Sequence, residues 1–281
     1  MSCSKGHHCC QNLKPKNAMP EMVSIVDIKN ENPFVKTFTL DCSVDGQPGQ
    51  FVMLWLPRVD EKPFSIAYDD GQNLELSIAN VGTFTEQLFT KKPGDKVGIR
   101  GSYGKTFQYE DGEHLVVLGG GYGAAPLYFL AVEAVVRGCT VEFIIGARSA
   151  EYLMFEEKAM QLKAVKVHVA TNDGSRGFTG TSVDLLNHLL NEGMKVDRIM
   201  TVGPEMMMKA VSDVALVRDI ACQVSLERYM KCGFGICGQC VVDESGMAVC
   251  MNGPVMDHKL ARAQAEFGKY HRDKVGRKKE W

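Results

Sequence analysis

The sequence predicts an α/β protein in two parts, closed by a cysteine-rich segment. The first part is a small β-barrel or sandwich, and the second is a parallel sheet wound with helices. Three observations carry this reading. Short runs of β-formers separated by turn clusters fill residues 22–108. Apolar runs alternate with helical stretches from 114 to 225. Four of the ten cysteines crowd between Cys232 and Cys250.

The chain has 281 residues, which suits about two domains. Hydrophobic residues make up 45% and charged residues 23%, which excludes a disordered or collagen-like chain. A net charge of −2 gives no global reason to expect nucleic-acid or membrane binding. The first twenty residues lack the apolar core of a signal peptide. Residues 115–132 contain no charged residue and reach the length of a minimal membrane span. Five of them are glycine or proline, however, so a buried strand followed by a buried helix explains the run better. A soluble cytoplasmic protein is expected, in which cysteines bind metal or do redox chemistry more often than they form disulfides.

In chain order, residues 1–20 read as a flexible arm. A β-rich domain over 21–111 carries strands at 22–28, 34–40, 50–56, 64–68, 74–79 and 96–100. Asp45-Gly46, Pro48-Gly49, Asp70-Gly71 and Pro93-Gly94 punctuate it, and one helix spans 85–90. A domain over 112–225 alternates strands at 114–118, 140–145, 165–170, 198–202 and 220–225 with helices at 124–136, 150–162, 182–191 and 205–217. Near-continuous apolar strands such as 141–145 suit a parallel sheet covered on both faces. Residues 226–257 form the cysteine-rich segment. The basic tail, 258–281, carries eight Lys/Arg against three Asp/Glu and is read first as a solvated tail or helix face.

The strongest motif is Cys232-Gly-Phe-Gly-Ile-Cys237-Gly-Gln-Cys240, followed nine residues later by Cys250. C-x4-C-x2-C…C is the plant-type [2Fe–2S] spacing. Gly233, Gly235 and Gly238 let the backbone approach the sulfurs in conformations that other residues adopt at a cost. Zinc favours paired knuckles instead. A hairpin turning at Glu244-Ser245-Gly246 brings Cys250 back to the site.

Gly119-Gly120-Gly121-Tyr122-Gly123-Ala124-Ala125-Pro126 follows a predicted strand and opens a helix. That is the context in which glycine-rich loops present backbone N–H groups to a pyrophosphate. No acidic residue ends the next strand to bind a ribose; Gly146-Ala147-Arg148 stands there, and Arg148 suits a 2′-phosphate or is an ordinary surface arginine. In the β-rich half, Lys62-Pro63-Phe64-Ser65 is read as beginning a strand, and Gly82-Thr83-Phe84-Thr85 as opening its helix. A base, an aromatic ring and a hydroxyl suit a flavin. The plainer reading is a strand and a helix cap at Thr85.

Together these motifs resemble the ferredoxin–NADP reductase superfamily. Within it they resemble the iron–sulfur electron-transfer subunits of type B dihydroorotate dehydrogenases, over about residues 21–270. The resemblance implies a β-barrel FAD domain, an α/β parallel-sheet nucleotide-binding domain and a C-terminal [2Fe–2S] segment. It places FAD on Lys62, Pro63, Phe64 and Ser65, on Ile78, Ala79 and Asn80, and on Gly82 with Thr83 or Thr85. It places NAD(P) on Gly120, Gly121, Gly123, Ala124, Pro126, Arg148, Asp173, Gly203 and Pro204. The cluster falls on Cys232, Cys237, Cys240 and Cys250. Lys62 departs from the family's arginine, keeping the charge and losing the bidentate fork.

The expected function is electron transfer between a nicotinamide, FAD and the cluster, linked to an FMN-containing catalytic dehydrogenase subunit that oxidises dihydroorotate. These domains leave no room in 281 residues for the ~250-residue barrel that such oxidation uses, so a heteromeric complex is expected. Small subunits of an NADH-dependent ferredoxin:NADP oxidoreductase, a sulfide dehydrogenase, or a hydrogenase or sulfite reductase diaphorase share the module. A regulatory metal-binding protein on the same fold is the non-enzymatic alternative. Cys3, His7, His8, Cys9 and Cys10 in the arm could hold a further metal, though without regular finger spacing.

Overall fold

A computed structural model describes residues 19–281; the arm with Cys3, His7, His8, Cys9 and Cys10 lies outside them. The first part contains β1 (Glu21–Asn32), β2 (Val35–Leu40), β3 (Phe51–Leu56), β4 (Asp60–Ser65), β5 (Tyr68–Asp69), β6 (Leu74–Ala79), α1 (Thr83–Phe89) and β7 (Lys96–Tyr103). Its strands form one antiparallel sheet in the order β4-β3-β7-β1-β2-β6-β5. Alternate residues such as Val52, Leu54, Leu74, Leu76 and Ile78 point inward and are almost wholly buried. Each contributes roughly 1.5–3 kcal/mol of burial.

Two local expectations shift here. Lys62-Pro63-Phe64-Ser65 ends β4 and does not begin a strand. β4 starts at Asp60 because Arg58, at φ 67°, turns the chain back so that Asp60 to Ser65 pair with Leu56 to Phe51. Pro63 is tolerated because β4 lies at the sheet edge. Thr85 is not the helix cap; Gly82 is. The Thr85 hydroxyl sits in the first turn, accepts from the N–H groups of Val81 (2.9 Å) and Gly82 (3.1 Å), and donates to the Gly82 carbonyl.

The second part runs β8 (His114–Gly120), α2 (Ala124–Val136), β9 (Thr140–Ala147), α3 (Glu156–Met160), β10 (Val165–Thr171), β11 (Phe178–Thr179), α4 (Ser182–Asn191), β12 (Arg198–Val202), α5 (Glu205–Arg218) and β13 (Ala221–Ser225). The sheet order is β11-β10-β9-β8-β12-β13, all parallel, and β14 (Val255–Asp257) adds antiparallel to β13. The apolar run 115–132 is therefore strand then helix, and no helix among the described residues is long and apolar enough to cross a membrane. The helix expected over 150–162 is broken into a short turn and α3, with Phe155 left-handed at φ 65°. Tertiary contacts override the helical pattern. Asn32 donates to the Tyr152 carbonyl (3.3 Å), Phe34 stacks on Tyr152, and Met154 and Phe155 are buried.

Cys139 and Cys222 are buried among apolar neighbours, and Cys42 is half-buried. His114 and His168 share Glu142, and His188 faces Glu192 at 3.4 Å, so each has a carboxylate partner that the sequence pattern did not reveal.

The basic C-terminal residues are folded onto the protein and do not trail as a tail. α6 (Val249–Asn252) precedes β14. α7 (His258–Arg262) and the hairpin β15 (Tyr270–Arg272) and β16 (Lys278–Glu280) follow it. Tyr270 and Arg272 both bind Asp243 at 2.8 Å. Glu266 and Glu205 close on Arg228, all three side chains 4% exposed or less.

Candidate functional site

In an open parallel sheet a ligand crevice forms outside the carboxyl ends of the strands, where the strand order reverses. Here that point lies between β8 and β12; Gly120 ends β8 and Gly203 directly follows β12, side by side. Gly123 turns the chain from β8 into α2 against the sheet. A Cβ there would stand 2.3 Å from the Val202 carbonyl oxygen, so only glycine fits.

One cleft opens between this point and the antiparallel sheet. Pro63, Phe64 and Ser65 of β4 and Ser77, Ile78 and Ala79 of β6 form one wall. Tyr122, Gly123 and Pro126 form the opposite wall, and Leu226, Glu227 and Met230 close the end. Phe64 is held by stacking on Phe84, with centroids 5.9 Å apart. The structure thus brings together seven of the residues expected for FAD and NAD(P): Pro63, Phe64, Ser65, Ile78, Ala79, Gly123 and Pro126. Ala124, buried, begins α2 just behind them.

The others stand outside this lining. Lys62 is engaged by Asp60 and by Tyr229, its ammonium 3.0 Å from the Tyr229 hydroxyl and over that ring. The Asn80 N–H binds the Phe34 carbonyl. Gly82 and Thr83 open α1, with Thr83 exposed, while the Thr85 hydroxyl is committed to the turn. Gly120, Gly203 and Pro204 pack together behind the turn, while Gly121 is exposed. Arg148 and Asp173 follow the carboxyl ends of β9 and β10 and are exposed. The Asp173 carboxylate accepts from the Ser175 N–H (3.0 Å) and hydroxyl (2.6 Å), which hold it below the usual carboxylate range.

Two residues of the cleft carry chemistry that spacing alone did not single out. The Tyr122 hydroxyl donates to Glu227 Oε2 at 3.1 Å. Glu227 is exposed to the cleft, and the protein around that cleft disfavours its charge and pushes its pKa up. The Glu227 charge, and then burial, raise the Tyr122 phenol in turn. Arg228, adjacent in sequence, offsets this only in part, because Glu205 and Glu266 occupy its guanidinium. The sequence signal for both residues was positional: Tyr122 lies inside the glycine loop, and Glu227 follows the last parallel strand by two residues.

From Met230 the chain passes directly into the cysteines. Gly233, Gly235 and Gly238 adopt φ of 82°, 87° and 68°, and the loop lies on β3 and β7, with a Cβ at Gly233 placed 3.2 Å from Tyr103 and 3.3 Å from Met53. The four thiols fall into two neighbouring pairs, Cys232 with Cys237 and Cys240 with Cys250, and the Cys250 N–H donates to Cys240 Sγ at 3.4 Å. Among the described residues no three His, Cys, Asp or Glu side chains surround one ion; the arrangement is two plus two. Burial opposes ionisation of Cys232, but the backbone N–H groups of Cys237, Phe234 and Ile236 more than offset it and bring the thiol down to about 7. The Cys250 thiol lowers Cys240 and is itself held up by it. Thiolates in two pairs, met by backbone N–H donors on a glycine loop, fit a two-iron cluster with two ligands to each iron. Val242 and Met247 join the returning hairpin at 3.0 Å around Glu244 and Gly246, both at positive φ.

Comparison with known proteins agrees with this geometry. Residues 227–260 match the iron–sulfur cluster binding domain of dihydroorotate dehydrogenase B. A protein of Methanocaldococcus jannaschii named "Probable dihydroorotate dehydrogenase B (NAD(+)), electron transfer subunit" is 44% identical over 259 residues, covering 92% of this chain and 98% of the relative. The chain belongs to the family of dihydroorotate dehydrogenase B electron transfer subunits. A relative of the same name from Methanothermobacter thermautotrophicus is 42% identical over 268 residues, or 94% and 98% of the two chains. Among solved structures, one described as an NADH-dependent reduced ferredoxin–NADP oxidoreductase superposes with a TM-score of 0.77. It is 28% identical, over 84% of this chain and 88% of that one.

Proposed function

We propose that this chain is the electron-transfer subunit that joins dihydroorotate oxidation, carried out by an FMN-containing catalytic partner, to NAD+ reduction. The observation that carries the reading is continuity: Leu226, Glu227, Arg228 and Met230 line the cleft, and Cys232 follows two residues later. FAD supplies exchange of a hydride with the nicotinamide on one side and of single electrons with a [2Fe–2S] cluster on the other.

The chain's own residues bind, orient and shield. Pro63, Phe64, Ser65, Ile78 and Ala79 would hold the flavin against the antiparallel sheet. The turn from Gly120 to Pro126, with Gly203 and Pro204 behind it, would receive the nicotinamide dinucleotide. Apolar walls from Phe64, Ile78, Pro126 and Met230 keep water out. Glu227, held by the Tyr122 hydroxyl, offers a carboxyl oxygen for an amide or a proton at the mouth between the two. Cys237 is exposed while Cys240 and Cys250 are buried, so the outer thiol pair faces the surface that a partner would cover. The domain limits at 21–111, 112–225 and 226–257 follow the same division of labour. The reading assigns the protein to the cytoplasm, with its substrates.

The test is reconstitution. With an FMN-bearing catalytic subunit, dihydroorotate reduces NAD+; alone, this chain passes electrons from NADH to an artificial acceptor and leaves dihydroorotate untouched. Dihydroorotate oxidation by this chain alone contradicts the reading. The second reading, a small subunit of an NADH-dependent ferredoxin–NADP oxidoreductase, draws on the 0.77 superposition. Copurification with a large multi-cluster flavoprotein favours it.

A further inference from the structure

Two consecutive residues of β4, Glu61 and Lys62, are tied to the chain that enters the cysteine loop, and the tie at Glu61 runs through one side chain. Arg100, on β7, uses all five of its N–H groups. Nε and Nη2 form a fork on the two Glu61 oxygens, each at 2.6 Å. Nη2 also donates to the Lys231 carbonyl at 3.0 Å, and Nη1 to the Cys232 carbonyl and to the Tyr103 hydroxyl at 3.1 Å. The guanidinium carbon lies 5.5 Å from the Tyr103 ring centroid and 5.6 Å from that of Phe234, within the cysteine loop. Only 9% of the side chain is exposed. A lysine has three donors and no planar fork, so it cannot make this set.

We propose that Arg100 is a positioning residue for electron transfer: it fixes the backbone of Cys232 to β4, the strand whose far end, Pro63 to Ser65, lines the cleft. The inference rests on the reading of residues 232–250 as the cluster site. Its physical basis is direct. The loop has no regular secondary structure between Leu226 and Val249, so its distance from the cleft depends on discrete ties. Arg100 supplies two of them to consecutive carbonyls and anchors both to β4 through a charge-assisted fork.

The experiment uses the full chain loaded with FAD and cluster, comparing wild type with Arg100→Gln, Arg100→Lys and Glu61→Gln. Flavin and iron content, the rate of flavin reduction by NADH, the rate of electron arrival at the cluster, and the EPR spectrum of the reduced cluster are read separately. The proposal expects Arg100→Gln to bind FAD and be reduced by NADH within twofold of wild type. Electron arrival at the cluster falls at least tenfold and the cluster EPR spectrum changes. Arg100→Lys keeps the charge and recovers only a small part of the rate; Glu61→Gln, which keeps Arg100 and loses its anchor, gives an intermediate fall. If Arg100→Gln is purified with flavin and without iron, Glu61→Gln decides on the same criteria. Electron arrival within twofold of wild type in Arg100→Gln, or in Glu61→Gln where that variant decides, with an unchanged spectrum, overturns the proposal. Wild-type chain without iron overturns the cluster reading itself, a different failure.

Discussion

The parallel sheet and the cysteine segment that follows it are held by different forces. β8, β9, β12 and β13 are lined with Val116, Leu118, Ile144, Ile199 and Val224, each essentially without solvent exposure, and the helices cover them with Leu186, Met208 and Val211. Burial there is collective and tolerant of detail. Residues 226–248 have almost no ladder, and charged side chains fasten them: Arg228 between Glu205 and Glu266, Arg100 on Glu61, and Asp243 with Tyr270 and Arg272. A cluster loop needs backbone N–H groups free to face sulfur, so it cannot give them to a sheet. Its rigidity must come from side chains, and a few ion pairs carry it.

Breaking one such tie therefore has the largest effect. Arg228→Met leaves Glu205 and Glu266 buried without a cation, and about 3–5 kcal/mol of stability is lost. Urea unfolding should show this together with protease cleavage around residues 262–270, before the sheet is attacked. Leu186→Ala removes apolar burial on the sheet and costs about 2–5 kcal/mol, but bound iron per folded chain stays at the wild-type value. Loss of iron in that variant would blur the distinction between the two regions.

Glu227 tests the boundary between them by pH. Its folded pKa is raised, so its neutral form is favoured by the fold; the destabilisation is absent below the ordinary glutamate value of about 4.3, grows as pH rises from there to the folded value, and is constant above it. Glu227→Gln apoprotein should melt above the parent at pH 8, with the gap closing toward pH 4.5 in thermal scans. Smallest of all, Lys274→Glu on the exposed turn of the C-terminal hairpin, where Lys274 makes no ion pair among the described residues, should change stability by less than about 0.5 kcal/mol.

The same contrast explains what the sequence made legible. Where burial is periodic, the pattern is written locally: strands 74–79 and 198–202 and helices 124–136 and 182–191 have the limits expected. Where a distant side chain decides, local pattern misleads, as at Tyr152–Met154, held by Asn32 and Phe34. The cysteines were legible because metal chemistry fixes their spacing. Arg100, Glu61, Glu205 and Glu266 were not, since a clamp between residues far apart in sequence leaves no local signature. Glu227 and Tyr122 stood beside recognised motifs, but their pairing exists only once β8 and β13 are folded together.

The central claim is that one cleft and one cysteine quartet form a single relay. Anaerobic titration of the purified chain with NADH, followed by visible absorption and low-temperature EPR, tests it most directly. The account predicts one FAD and two irons per chain, flavin bleaching, and a reduced [2Fe–2S] signal that grows as the flavin is reduced. Flavin bleaching with no electron reaching the iron, or a chain that binds neither group, would contradict it.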